Sequence, residues 1–257
     1  MSAVVFPTNC PLCGEELAHA GWTCICGSCW QSIEPWAGPI CTCCGIPFAS
    51  GVINSDAEYM CGPCRRKEYR FDLARCYGLY ARTLRAAVLE LKFRRRERWA
   101  GELGGLLAAL WPAISGRLTA APVLAPVPLH PSREFERGFN QAELLARGLR
   151  RKLARSAGTL VPLLETQCLR RVRATLPQSG LGHRARFENV QHGFSAQPKR
   201  VRNRCILLVD DVMTTGATAS ACADTLKRAG ALQVVILTLA RATPQFPDGV
   251  VPLHGEP

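Results

Sequence analysis

Apolar residues in this chain fall into short runs that alternate with stretches of helical period, an order that predicts α/β architecture: a parallel sheet with helices on both faces. Cys205 to Val209 is an uninterrupted apolar run of strand length, as a strand buried on both faces requires. Ala217 to Ala229 follows with helical spacing and is closed by Gly230. Upstream, Ala74 to Tyr80 reads as a strand, and Arg82 to Arg95 as a helix that turns Leu84, Val88, Leu91 and Phe93 inward. A second helix is expected over Ala100 to Ile114, ended by Pro112. Pro122 to Leu129 is a further buried strand whose end carries Pro126 and Pro128, and these prolines are expected to fix the loop Pro128 to Arg133. The next helix opens in Arg137 to Ala142 and repeats Leu145, Leu149 and Leu153 at i+4, and Leu232 to Ala240 is the closing strand.

The breaks in this pattern suggest the organisation. Arg65 to Asp72 is polar, of mixed charge and without an apolar period, which places a boundary between a domain at 1–66 and a second at 73–242. Thr243 to Pro257 holds four prolines and no period, and is expected to be a disordered tail. Leu169 to Val190 is poor in aliphatics and rich in Arg, Gln and Gly. Such a stretch is either a disordered loop or a lid over a phosphate-rich ligand, and its arginines favour the lid.

Cysteine changes the picture of the first domain. Ten of the 14 cysteines lie between Cys10 and Cys64, in an internal near-repeat: Cys10-Pro-Leu-Cys13-Gly matches Cys41-Thr-Cys-Cys44-Gly, and Cys26-Gly-Ser-Cys29 matches Cys61-Gly-Pro-Cys64. Met1 to Asn9 lacks the charged start and apolar core of a signal peptide, so a cytoplasmic protein is expected, in which paired cysteines mean metal before disulfide. Each Cys-x-x-Cys turn can place two thiolates on a tetrahedral zinc, and four turns imply two structural zinc ions with four thiolates each. The simplest pairing is sequential, Cys10, Cys13, Cys26 and Cys29 on one ion and Cys41, Cys44, Cys61 and Cys64 on the other; a cross-braced pairing is the alternative. Cys24 and Cys43 stand outside this register. About fifty residues with few aliphatics cannot build a core without the metal.

A formal charge of +12 comes in four groups: Lys92 to Arg98, Arg147 to Arg155, Arg170 to Arg173 and Lys199 to Arg204. A basic surface of this kind suits polyphosphate, nucleic acid or acidic lipid. The most apolar window, Ala100 to Ile114, contains Glu102 and is too short to cross a bilayer, so no membrane-spanning segment is expected.

The candidate chemistry is concentrated after the Cys205 strand, in Asp210, Asp211 and the turn Thr214-Thr215-Gly216-Ala217-Thr218. A strand, a tight turn and a helix N-terminus make an anion-binding concavity, with backbone N–H groups and threonine hydroxyls suited to a phosphate monoester. Two carboxylates beside that phosphate would repel it, so they are expected to meet sugar hydroxyls or a magnesium ion. A ribose 5-phosphate fits. Lys92 is either a snorkelling surface lysine or a member of the site. Arg133 and Arg137 can supply positive charge where the loop after Val127, with two prolines and no glycine, offers few N–H groups. Thr214 cannot accept a proton at neutral pH, so no general base is evident.

The Asp210 to Thr218 string resembles the phosphoribosyltransferase signature of the type I fold. Together with the four Cys pairs, Leu91-Lys92-Phe93, Val127-Pro-Leu-His-Pro-x-Arg133, Arg137-Gly-Phe-Asn-Gln-Ala142, Arg171-x-x-x-Thr175-x-x-Gln178-x-x-Leu181 and Arg186-x-x-Asn189, it is similar to the ComF family over roughly residues 10 to 241. That resemblance implies a double zinc ribbon before a type I phosphoribosyltransferase-like sheet, and a role in DNA uptake during natural transformation. It implies phosphoribosyl pyrophosphate with magnesium as ligand, single-stranded DNA as a further partner, and a competence helicase or uptake-channel protein as a possible neighbour. Asp210, Asp211 and Lys92 would be its catalytic residues, and Thr214 to Thr218, Arg133 and Arg137 its ligand-binding ones. The alternative is an active phosphoribosyltransferase with an unknown acceptor.

Overall fold

The structure, a computed structural model, describes residues 9–17, 25–48, 59–93, 97–173, 193–243 and 246. Its strands are β1 (Leu73–Leu79), β2 (Pro122–Pro126), β3 (Leu163–Leu164), β4 (Leu169–Arg171), β5 (Phe194–Ala196), β6 (Cys205–Met213) and β7 (Gln233–Arg241). Five of them form one parallel sheet in the order β1-β7-β6-β2-β3, while β4 and β5 pair antiparallel beside it. The helices are α1 (Gly27–Gln31), α2 (Gly62–Arg65), α3 (Arg82–Phe93), α4 (Glu97–Leu106), α5 (Trp111–Ser115), α6 (Pro131–Arg137), α7 (Gln141–Ala154), α8 (Pro198–Val201) and α9 (Ala217–Arg228).

The apolar run of β6 feeds two cores. Cys205, Leu207 and Val209 pack with Leu84, Val88 and Leu91 of α3, Leu103 of α4, and Leu145 and Leu149 of α7. Ile206 and Leu208 point the other way, into a cluster with Cys222, Ala223 and Leu226 of α9, Leu169 of β4 and Phe194 of β5. Because successive side chains of a strand alternate between faces, a run without polar residues is what two covered faces demand. Each such buried Leu or Ile adds roughly 1.5–3 kcal/mol relative to exposure.

Three local expectations are corrected. The helix expected from Ala100 begins at Glu97, tightens into a 3-10 turn over Leu107–Leu110 and restarts as α5. Pro112 therefore starts a helix rather than ending one, because in the first turn its missing N–H interrupts no intrahelical bond. Pro131 acts likewise: the supposed loop becomes α6, capped by the His130 side chain, which accepts from the Ser132 N–H at 3.3 Å. Strand β6 does not stop at Val209, since its ladder to β7 continues through Asp210 opposite Thr238 to Met213 opposite Arg241.

In the cysteine-rich segment the near-repeat is structural. Gly14 and Gly45 both lie in the left-handed region, at φ 81° and 65°, and close turns in which Cys10 donates to Glu15 O and Cys41 to Ile46 O. Cys26 and Cys61 then cap α1 and α2. The segment docks along the free edge of β1: Ala74 N–H donates to Cys43 O at 2.8 Å, Trp36 N–H to Tyr77 O at 2.7 Å, and the Tyr77 hydroxyl to Ile33 O at 3.1 Å. An edge that would otherwise offer unpaired groups is thereby occupied.

The connection 65–72 is also held down. Phe71 is buried and stacks on Tyr69 at 4.9 Å, Arg70 N–H donates to Ser220 Oγ, and Asp72 pairs with Lys227 while accepting the Val234 N–H. Among the described residues no helix is long and apolar enough to cross a membrane. The expected lid beyond Arg173, the motif residues Thr175 to Asn189, nearly all of the tail, Cys24 and the Phe93 side chain lie outside the described residues.

Candidate functional site

The site is built at the carboxyl end of the sheet, where β6 runs past its last pairing with β2. Asp211 is buried, and Lys92, at the last turn of α3, places Nζ 3.1 Å from its Oδ1. With its side chain only 20% exposed and its ammonium on Asp211, Lys92 is not a snorkelling surface lysine. Burial pulls its pKa down, but the charges of Asp211 and Asp210 outweigh this and hold the ammonium above its ordinary range.

Asp210 accepts the Asp211 N–H at 2.9 Å and interacts with Arg171 and Cys222, toward the α9 side of the sheet. Burial first, and the charge of Asp211 second, raise its pKa to about 7. Asp211 Oδ2 is buried and has no hydrogen-bond partner. The unpartnered oxygen of Asp211 is a hard donor of the kind magnesium takes, while Asp210 lies on the opposite face of the strand.

The turn after β6 is shaped around Gly216, at φ 80° the N-cap of α9. A Cβ there would lie 2.8 Å from Met213 Cε and 2.9 Å from Tyr69 Cε1, so both the dihedral and the space require glycine. Thr215 Oγ1 accepts the Ala217 N–H at 3.4 Å, Thr214 is exposed, and Thr218 is half-buried in the first turn of α9. Twelve residues of helix thus begin directly beyond the turn, with their dipole favouring an anion there.

On the other side of the site, Arg133 and Arg137 lie one turn apart on α6, and Arg137 Nη1 donates to Gln141 Oε1 at 2.9 Å. Gly138, at φ 83°, ends that helix. Buried Asn140 then fixes the chain by accepting the Ala142 N–H at 3.0 Å and donating to Val127 O at 3.1 Å. The charge of Arg133 reaches Arg171, whose pKa is lowered by burial and by Arg133 against the pull of Cys222 and Asp210.

Two participants escaped the sequence reading of the site. The sequence pattern places Arg171 in the expected lid, whereas it stands in β4. Tyr69 sits in a stretch without any periodic signal, yet it walls the Gly216 turn. Two of the basic groups are less positive than a residue count suggests, since Arg147 and Arg200 are paired with Glu143 and Glu165 at 2.6 Å.

The metal centres follow the sequential pairing. Cys10, Cys13, Cys26 and Cys29 form one group and Cys41, Cys44, Cys61 and Cys64 the other, each with its sulfur atoms within 4.8 Å of one another. The Cys13–Cys26 and Cys44–Cys61 sulfur separations are both 3.5 Å, near the about 3.8 Å that tetrahedral Zn–S bonds of about 2.3 Å imply. The Cys61 N–H points at Cys41 Sγ at 3.4 Å and the Cys29 N–H at Cys26 Sγ at 3.4 Å, as suits thiolate ligands. Four sulfurs and no carboxylate in each set fit structural zinc. Cys43 stands apart and directs its thiol to Asp72 O.

A family model for the double zinc ribbon domain matches residues 1–65. DNA utilization protein YhgH of Salmonella typhimurium is 32% identical over 237 residues, covering 91% of this chain and 97% of that protein. Competence protein F of Haemophilus influenzae is 29% identical over 247 residues, covering 92% and 98%. Among solved structures, the glutamine phosphoribosylpyrophosphate amidotransferase from B. subtilis aligns over 54% of this chain and 25% of that one, at 19% identity and a TM-score of 0.34.

Proposed function

The chain belongs to the ComF family, and from that premise we propose that it binds a ribose 5-phosphate group, as carried by phosphoribosyl pyrophosphate, in the service of DNA uptake. The observation that carries this reading is the Lys92–Asp211 ion pair set beside the left-handed Gly216 turn at the start of α9. In it, the N–H groups and hydroxyls of Thr214 to Thr218 take the 5-phosphate, and Asp210 faces the ribose. Lys92 holds the Asp211 side chain in place, and Arg133 and Arg137 meet the pyrophosphate. Magnesium held by Asp211 would offset the charge of that pyrophosphate. The reading stops at binding, because Thr214 offers no base to activate an acceptor.

Single-stranded DNA is the second ligand in this reading, on the basic surface and in the cytoplasm, with the names of the relatives and the +12 charge as support. Calorimetric titration of phosphoribosyl pyrophosphate with magnesium into the zinc-loaded protein tests the first part. Wild type is expected to bind and Asp210→Asn to bind about tenfold or more weakly; no heat with wild type overturns it. For DNA, oligonucleotide anisotropy should fall steeply between low and physiological salt, and a flat profile overturns that part.

A further inference from the structure

The two cysteine groups lie in unlike surroundings. In the first, only Cys10 is buried, Cys13 is exposed and Cys26 and Cys29 are half-buried, whereas in the second Cys61 is half-buried and Cys41, Cys44 and Cys64 are inside the α9-side core with Ala74 and Ile236. Zinc with four thiolates carries a formal charge of about −2. Water screens that charge at the first group. At the second, an uncompensated charge in the core would be strongly penalised.

Two cations are buried beside the second group. Arg75, 6% exposed, donates from Nη1 to Ala74 O at 2.7 Å and from Nη2 to Thr42 O at 3.0 Å, which pins its guanidinium against the backbone of the Cys41–Cys44 turn. Arg241, 2% exposed at the end of β7, has Nε and Nη1 buried without a hydrogen-bond partner. Both line one cavity of about 210 Å³ together with Cys76 and with Gly45, the neighbour of Cys44. The first group shows no such cation among the described residues: the charged neighbour of Cys13 is Glu15, 3.7 Å from its sulfur.

We infer that Arg75 and Arg241 are the counter-charges of the second zinc centre, two guanidinium groups that make a buried metal–thiolate cluster neutral. The two zinc ions then differ in kind. One is screened by water and exchanges readily; the other is part of the core and is held by charges outside its ligand set.

The test is zinc release from the full-length, zinc-loaded protein to a colorimetric chelator. Wild type is expected to release one ion quickly and one slowly, with Cys13→Ser removing the fast phase. Arg241→Met and Arg75→Met should speed the slow phase by about 10- to 100-fold and leave the fast phase alone. Arg241→Lys, which keeps the charge, should restore a slow phase. Cobalt-substituted protein gives a second readout, because loss of either arginine should alter the thiolate-to-cobalt absorption of one ion and not of the other. A slow phase and a cobalt spectrum unchanged in both methionine variants overturn the inference. So does equal acceleration of both phases, which would mark general loss of structure, as would an Arg241→Lys variant no slower than Arg241→Met.

Discussion

Asp210 and Asp211 are neighbours on a strand, and their side chains serve different faces. Asp211 carries the ion pair with Lys92; Asp210 lies toward α9 with a carboxyl that titrates near 7 in the fold against about 4 in the unfolded chain. A raised acid pKa means that ionisation opposes folding. The fold is favoured below pH 4, and this contribution is lost as pH rises through 7. Asp210→Asn should therefore be no more stable than wild type in acid, yet gain up to about 4 kcal/mol at pH 8, read from urea melts at the two values. Magnesium-dependent ligand binding should move oppositely, strengthening from pH 6 to pH 8 as the carboxylate forms. At Gly216, alanine would meet both a positive φ and the side chains of Met213 and Tyr69, at a cost of roughly 1–3 kcal/mol in the same melts.

Among the elements, α4 and α7 approach each other through glycine. A Cβ on Gly148 would collide with Gly101 O, and one on Gly104 with Leu145 O. Gly148→Ala gains about 1 kcal/mol of helix propensity but must separate the two helices, so a net loss of roughly 1–2 kcal/mol is expected in the urea midpoint. The strands and long helices were legible because their apolar periods are local; Cys205 to Val209 and the Leu145, Leu149, Leu153 series each carry their own signal. Helix α6 was not, since Pro131 reads equally well as loop or first turn until His130 is seen to cap it. The acids and the threonine turn were legible for the same local reason, whereas Tyr69 and Arg171 reach the site from segments with no period of their own.

At the scale of the whole molecule, the cysteine-rich segment and the sheet share backbone hydrogen bonds and both cores. Contacts of this kind join segments far apart in sequence and leave no periodic mark, which explains why nothing in the sequence singles out Arg75 and Arg241. Removal of both zinc ions should lower the thermal midpoint of the entire chain in one calorimetric transition, rather than melt a separate small unit. Two well-resolved transitions in the zinc-loaded protein would contradict that coupling.

Strand β1 pairs with β7, which follows it by more than a hundred and fifty residues. During synthesis on the ribosome its sheet partner emerges only after that intervening length has been made, and so distant a pairing is slow to form. The segment that grips its other edge, through Cys43 and Trp36, is made before it. The metal-bound segment can therefore chaperone β1 from within the same chain, and zinc shortage during expression should appear as aggregation of the nascent protein before any loss of activity.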